Sequence, residues 1–140
     1  MVGLPKVDKI VVDAFIEMLM SEQEMLRPPE KAAAMMALIC ELHERQEPFP
    51  KRAEVAKHID CSIATVDAAL STRLDEGYIS QVVETAAGNV QRRHSVTRQT
   101  FYKPSTHLLN VYHKAKRGDY TPPPSGGGGG IKGRIRRRAA

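Results

Sequence analysis

VAKHIDCSIATVDAAL, residues 55–70, is the stretch that decides how this chain folds. Val55, Ala56 and Ile59 recur at helical spacing, and Val66, Ala69, Leu70 and Leu74 do so again beyond Asp60-Cys61-Ser62. Two short helices cross steeply only when the chain turns within about three or four residues. One residue of such a turn commonly needs a positive φ. Glycine is its usual occupant, and Asp or Asn is the next best tolerated. Asp60 is therefore assigned the left-handed position. Cys61 follows as a small apolar plug, and Ser62 is placed to accept hydrogen bonds from the first free N–H groups of the second helix. The stretch predicts a helix over 52–59, a turn, and a helix from Ile63 to about Glu76 that ends at Gly77 as a left-handed cap.

Working outward, residues 7–26 carry one apolar stripe of Ile10, Val11, Ala14, Phe15, Met18 and Leu19, stopped by Pro28-Pro29. A second helix is expected over 30–46. Ala33, Met36, Ala37 and Cys40 face inward there, and Leu38, Ile39 and Leu42 widen the apolar face until its middle is buried on more than one side. Pro48 and Pro50 end it. Met18, Met20, Met25, Met35 and Met36 read as adaptable filler of a core or of a subunit interface. After Gly77, YISQVVET turns to strand composition, AAGN supplies turn residues, and VQRRHSVTRQTFYKP is a second extended run in which Val90, Val96, Thr100 and Tyr102 can pair back. Ser105 caps a last helix, from Thr106 to about Lys116, with Leu108, Leu109, Val111 and Tyr112 apolar. The segment TPPPSGGGGGIKGRIRRRAA has almost nothing to bury and reads as a stiff Pro turn, a flexible Gly linker and a mobile basic tip. The expected organisation is 1–50 for N-terminal helices, 51–104 for the two-helix element with its hairpin, 105–117 for the last helix, and 118–140 for a disordered linker and tail.

A chain of 140 residues, 41% hydrophobic and without tryptophan, has room for one modest core of aliphatic side chains. No run reaches the roughly 18 apolar residues of a membrane span. Lys6, Asp8, Lys9 and Asp13 interrupt what would be a secretory leader, so a cytoplasmic protein is expected. Cys40 and Cys61 lack metal-ligand spacing and read as two reduced, buried thiols, with a disulfide or metal site as the alternative. Charge is unevenly placed. Residues 1–50 hold five Lys/Arg against nine Asp/Glu, whereas 51–118 hold eleven against six and 119–140 hold five against one. No acid lies between Glu84 and Asp119, where Arg92, Arg93, Arg98, Lys103, Lys114, Lys116 and Arg117 stand. Such a change of sign points to a polyanionic partner on one side of the molecule; a merely solvated basic face is the alternative.

RAEVAKHIDCSIATVDAALSTRLDEGYI, residues 52–79, resembles the winged helix-turn-helix of bacterial regulators such as the MarR and GntR groups. The shared frame is Ala56, a turn, Ser62, Thr65-Val66, the ladder Leu70/Leu74, Gly77 and Ile79, with Asp60 in place of the usual glycine. SQVVETAAGNVQRRHSVTRQTFYKP looks like the wing and extends the looser likeness to about residue 104. The resemblance implies a mainly α fold with a small β-hairpin wing, and a helix that enters the major groove of double-stranded DNA. It implies phosphate or base-edge contacts from Ser62 and Thr65, and an exposed face of Ile63, Ala64, Asp67, Ala68 and Ser71. A helix N-terminus attracts phosphate, and Ala or Ile can touch a thymine methyl. That face nevertheless has no Arg, Lys, Asn or Gln, the types best suited to bidentate base recognition. Asp67 would be repelled by phosphate unless it meets a cytosine amino group or pairs with Arg73.

Affinity is therefore expected from the wing and flanks: Gln91, Arg92, Arg93 and Arg98 on or beside the ribbon, and Lys51, Arg52 and Lys57 around the first helix of the motif. The tail bases Lys132, Arg134, Arg136, Arg137 and Arg138 form either an auxiliary phosphate-contacting arm tethered by glycines or a solubilising terminus. His43, His58, His94, His107 and His113 have no metal spacing, and no nucleophile elbow, phosphate-loop or dinucleotide fingerprint occurs. Catalysis, a cofactor and a bound metal are not expected. The reading is a cytoplasmic, nucleoid-associated DNA-binding protein, a bacterial or phage transcriptional regulator acting as a homodimer. Its alternatives are an accessory factor for phage or plasmid replication, excision or packaging, and an adaptor whose winged helix binds protein. Replacing Arg92 and Arg93 by alanine should weaken binding to all duplexes alike and reduce the salt dependence of log K by about two phosphate equivalents. Unchanged affinity in a salt titration rejects the wing assignment.

Overall fold

A computed structural model describes residues 4–85 and 98–121. The elements run α1 (Lys9–Glu22), α2 (Glu30–Arg45), α3 (Arg52–Ile59), α4 (Ile63–Glu76), β1 (Ile79–Thr85), β2 (Arg98–Pro104) and α5 (Thr106–Lys116). The protein is thus mainly α with one small antiparallel hairpin, whose register pairs Ile79 with Pro104 and Thr85 with Arg98. Gln91, Arg92, Arg93, the rest of the expected turn, and the expected tail bases lie outside the described residues.

Helix α2 lies at the centre and touches α1, α3, α4, α5 and β2. Every side chain from Met35 to Cys40 is buried, along with Ala33 and Leu42, so the expectation of burial on more than one side holds. A helix apolar all round is stable only when neighbours cover all of it. Phe15, Met18 and Leu19 of α1, Val55 of α3, Val66 of α4 and Leu108 of α5 supply that cover, each essentially inaccessible to water. Met18, Met35 and Met36 are core side chains of this single chain, while Met20 and Met25 are half-buried.

Two expectations for α1 need correction. The helix stops at Glu22, well before Leu26, because Glu24 takes a φ of 52° and the Met25 N–H folds back onto the Met20 carbonyl. The chain has therefore left the helix before Pro28 would force it to. Ile10 does not join the buried stripe and is 49% exposed. At 100° per residue it lies about 110° from the middle of the Val11/Ala14/Phe15/Met18/Leu19 stripe, on its flank.

Three helices end alike. After α2, α3 and α4 the residues Gln46, Asp60 and Gly77 take φ of 58°, 61° and 85°. In each case the next N–H reaches back to the fourth-last helical carbonyl: Glu47 to Leu42, Cys61 to Ala56 and Tyr78 to Arg73. This is the Schellman arrangement, which satisfies carbonyls that the helix leaves open. Asp60 thus holds the left-handed place assigned to it. The segment between α2 and α3 lies beside β2 but contributes only one described backbone bond to it, Phe49 N–H to the Thr100 carbonyl at 2.7 Å. Pro48 and Pro50 have no N–H to add to a ladder. The Phe49 ring stands edge-on to Tyr102 at 4.9 Å.

Polar contacts fasten α5 to the N-terminal half. Tyr112 donates to Glu41 at 2.8 Å, Lys116 bridges Asp8 and Glu41 at 3.0 Å each, and His113 faces Glu44 at 3.3 Å. Glu22 accepts from Tyr78 at 2.7 Å and lies 2.7 Å from His107. Burial, reinforced by the hydrogen bonds to Glu22 and Glu41, pushes the phenols of Tyr78 and Tyr112 well above the ordinary tyrosine range. A phenol whose value is raised by folding contributes stability that is complete below the unfolded value near 10 and is lost as pH climbs toward the folded one. Denaturant unfolding from pH 8 to 11.5 should therefore show stability declining above about pH 10. The decline should be shallower in Tyr78→Phe and Tyr112→Phe than in the parent.

Candidate functional site

Helix α4 begins at Ser62, whose Oγ accepts the Thr65 N–H at 3.0 Å and lies 2.9 Å from the Thr65 hydroxyl. The cap fixes the angle at which the chain enters the helix. Val66, Leu70 and Arg73 face inward, with Ala69 and Leu74 half-buried at the margin of the core. The opposite face is open to water: Ser62, Ile63, Ala64, Thr65, Asp67, Ala68 and Ser71 are all exposed. Residues four apart stack on one side of a helix, so Ile63, Asp67 and Ser71 form one column and Ala64 and Ala68 the next. Ile63 is 48% exposed.

A carboxylate occupies the middle of that open face, and an arginine from another helix meets it. Arg52, the first residue of α3, forms an ion pair through Nε with Asp67, while its Nη2 donates to the Tyr102 hydroxyl at 3.3 Å. One guanidinium thus joins α3, α4 and β2. The two charged side chains are 44% and 53% exposed, so the pair is worth only about 0.2–1 kcal/mol. The alternative partner considered for Asp67 is wrong. Arg73 is buried and faces Glu76, with Nε and Oε1 2.9 Å apart. Arg73 Nη2 donates to Glu76 Oε2 at 3.4 Å, while the buried Nε and Oε1 are close without being aligned for a hydrogen bond of their own. Burial raises the Glu76 carboxyl above its usual value, and Arg73 only partly offsets this.

The other expected phosphate contacts lie on α3, at its start and on β2. Lys51 caps the start of α3, and Lys57 lies near its end; both are exposed. Arg98 opens β2 opposite Thr85. Lys103 is exposed further along the same strand. The bases of α5 divide differently from the way the sequence suggests. Lys116 is held by Asp8 and Glu41, and Arg117 by Asp119 at 3.2 Å. Part of the positive charge counted toward a polyanion is therefore balanced by acids of the same chain.

Among the described residues, no three His, Cys, Asp or Glu side chains converge as a metal-ligand set. His107 and His113 face carboxylates, and His58 lies 2.9 Å from the Pro5 carbonyl. An open groove between α1, α2 and the end of α3 has an apolar floor of Val12, Ile16 and Ala34. No helix among the described residues is long and apolar enough to cross a membrane. No protein-family model, curated protein or solved structure matches this chain.

The two cysteines differ more than expected. Cys40 is fully buried in α2, and burial, with Glu41 and Glu44 adding to it, pushes its thiol far above the usual range. Cys61 is only half-buried, in the turn before Ser62. Alkylation at pH 8 should modify Cys61 in the native protein, with Cys40 reacting about a hundredfold or more slowly until denaturant is added. Peptide mass spectrometry reads the two rates separately.

Proposed function

We propose that this chain binds double-stranded DNA as a winged helix-turn-helix, with α3 and α4 as its two helices and the β1–β2 hairpin as the stem of the wing. The observation that carries the reading is the open face of α4. This helix packs one side into the core and leaves a continuous strip, from Ser62 to Ser71, uncovered beside its capped N-terminus. Helix N-termini favour phosphate through their free N–H groups and their positive potential. The Arg52–Asp67 pair supports the reading further, because it neutralises the carboxylate at the middle of that strip. Specificity on this reading comes from Ile63, Ala64, Thr65 and Ala68, and affinity from Lys51, Lys57, Arg98 and the bases of the wing and tail. A transcriptional regulator is the form the proposal takes, with a phage or plasmid accessory factor as its near relative.

A homodimer remains part of the proposal. Leu26, 96% exposed, and Ile10 present apolar surface on α1 and on the connection after it. Two-fold pairing would set two α4 helices about one DNA turn apart.

A second reading has its own observation. Ile63 and Val82 are large aliphatic residues with 48% and 42% of their surface in water, and the α4 face has no base-reading side chain. These features also suit a winged-helix adaptor that docks a protein. Binding to random 30-bp duplexes in about 50 mM salt separates the two. A DNA-binding protein should bind there more tightly than the Kd on the order of 10⁻⁴–10⁻⁶ M typical at physiological salt, and weaken steeply as salt rises, whereas an adaptor should show no binding. Selection from a randomised duplex pool should then return a palindromic motif if the chain is a dimeric regulator, and a diffuse one if it is an accessory factor. A monomeric mass in solution, with and without DNA, removes the dimer.

A further inference from the structure

We infer that Arg52 and Asp67 form a charge latch that lowers affinity for non-cognate DNA and makes a cytosine opposite Asp67 part of the preferred site. The inference rests on the reading of α4 as the DNA-facing helix. Asp67 lies one turn from Ile63 and one turn from Ser71, at the centre of the exposed strip. Its carboxylate holds the guanidinium of Arg52, whose other end rests on the Tyr102 hydroxyl. While the pair is closed, the strip carries no net charge at its middle, and the guanidinium of Arg52 is engaged by Asp67 and the Tyr102 hydroxyl.

Opening the pair has two consequences of opposite sign. Arg52 becomes able to neutralise a phosphate, or to reach the O6 and N7 acceptors of a guanine. Asp67 becomes a bare carboxylate facing a polyanion, which is unfavourable on nearly every sequence. The exception is a site that offers it a hydrogen-bond donor. In the major groove the cytosine N4 amino group is the donor that Asp or Glu characteristically accepts from. Such a site releases Arg52 at little cost, whereas any other must either leave the latch closed and lose one cationic contact or open it and strand an anion. The pair therefore discriminates by withholding affinity. The exposure of both side chains allows it to open without disturbing the core.

The test is fluorescence anisotropy with Asp67→Asn, an isosteric change at an exposed position, on random 30-bp duplexes and on the sequence selected by the parent. Asp67→Asn should bind random duplex roughly tenfold more tightly at low salt, with a salt slope steeper by about 0.9. The preference for the selected sequence should fall, chiefly at one cytosine. In Arg52→Ala/Asp67→Asn the extra slope should disappear, because the released charge belongs to Arg52. If the parent binds DNA and Asp67→Asn leaves affinity and slope unchanged or lower, the latch is wrong while DNA binding stands. If the double variant keeps the steeper slope, simple relief of repulsion accounts for the gain and the latch is again overturned. If neither parent nor variant binds any duplex at low salt, the DNA-binding reading itself falls.

Discussion

The burial of α2 on every side is the constraint from which the other positions follow. Six successive side chains, Met35 to Cys40, are withdrawn from water, and no single neighbour could cover them. Removing each larger aliphatic member from water contributes about 1.5–3 kcal/mol, an upper figure because unfolded chains already hide part of it. Helices α1 and α5 close one flank, α3 and α4 another, and β2 runs alongside. Helix α4 packs into the core through Val66 and Leu70, and on its outer face only Asp67 is met by another element, through Arg52. The proposed site is a by-product of how the central helix is wrapped.

The second constraint is local. The left-handed residue at Asp60 lets α3 stop and α4 start within the space of Cys61 and Ser62, with the Cys61 N–H returning to Ala56 and Ser62 capping the next helix. Asp is among the few residues besides glycine that visit this conformation readily, since its short polar side chain can bond locally. The same device closes α2 at Gln46, where no sequence pattern announces it. A glutamine with φ of 58° is tolerated there because the bonds of Gln46 to His43 and Glu47 to Leu42 compensate for the strain.

Much of this was legible in the residues, for reasons that also explain what was not. The bounds of α3 and α4, the cap at Ser62, the left-handed Asp60 and Gly77, and the cap at Ser105 are set by short-range chemistry, which a sequence displays directly. The inner face of α2 was legible because seven apolar residues crowd its middle. The end of α1 was not, since the turn at Glu24 is stabilised by a return to Met20 and not by a breaker residue. The partner of Asp67 was missed because Arg52 lies fifteen positions away and meets it only through the steep approach of α3 to α4. The charge pattern misled in the same way. A run without acids from 85 to 118 looks like one cationic surface, yet Lys116 has its partners at Asp8 and Glu41, 108 and 75 positions away.

These long-range pairs bear on how a basic protein of this size selects a partner. If every base of the second half faced solvent, attraction to any polyanion would dominate, and a face as poor in hydrogen-bonding side chains as α4 could add little discrimination. Asp8, just before α1, and Glu41 of α2 instead balance Lys116 of α5, and Asp67 occupies Arg52. Among the described residues, Lys51, Lys57 and Lys103 are exposed bases, and the open strip of α4 is apolar or hydroxylic apart from Asp67. Weak background attraction is the condition under which small contacts, such as an isoleucine on a thymine methyl or a capped helix end on a phosphate, can decide between sites. On the proposed DNA-binding reading, the balance of charge inside the fold would do for specificity what the exposed helix, lacking arginine and asparagine, is chemically unable to do alone.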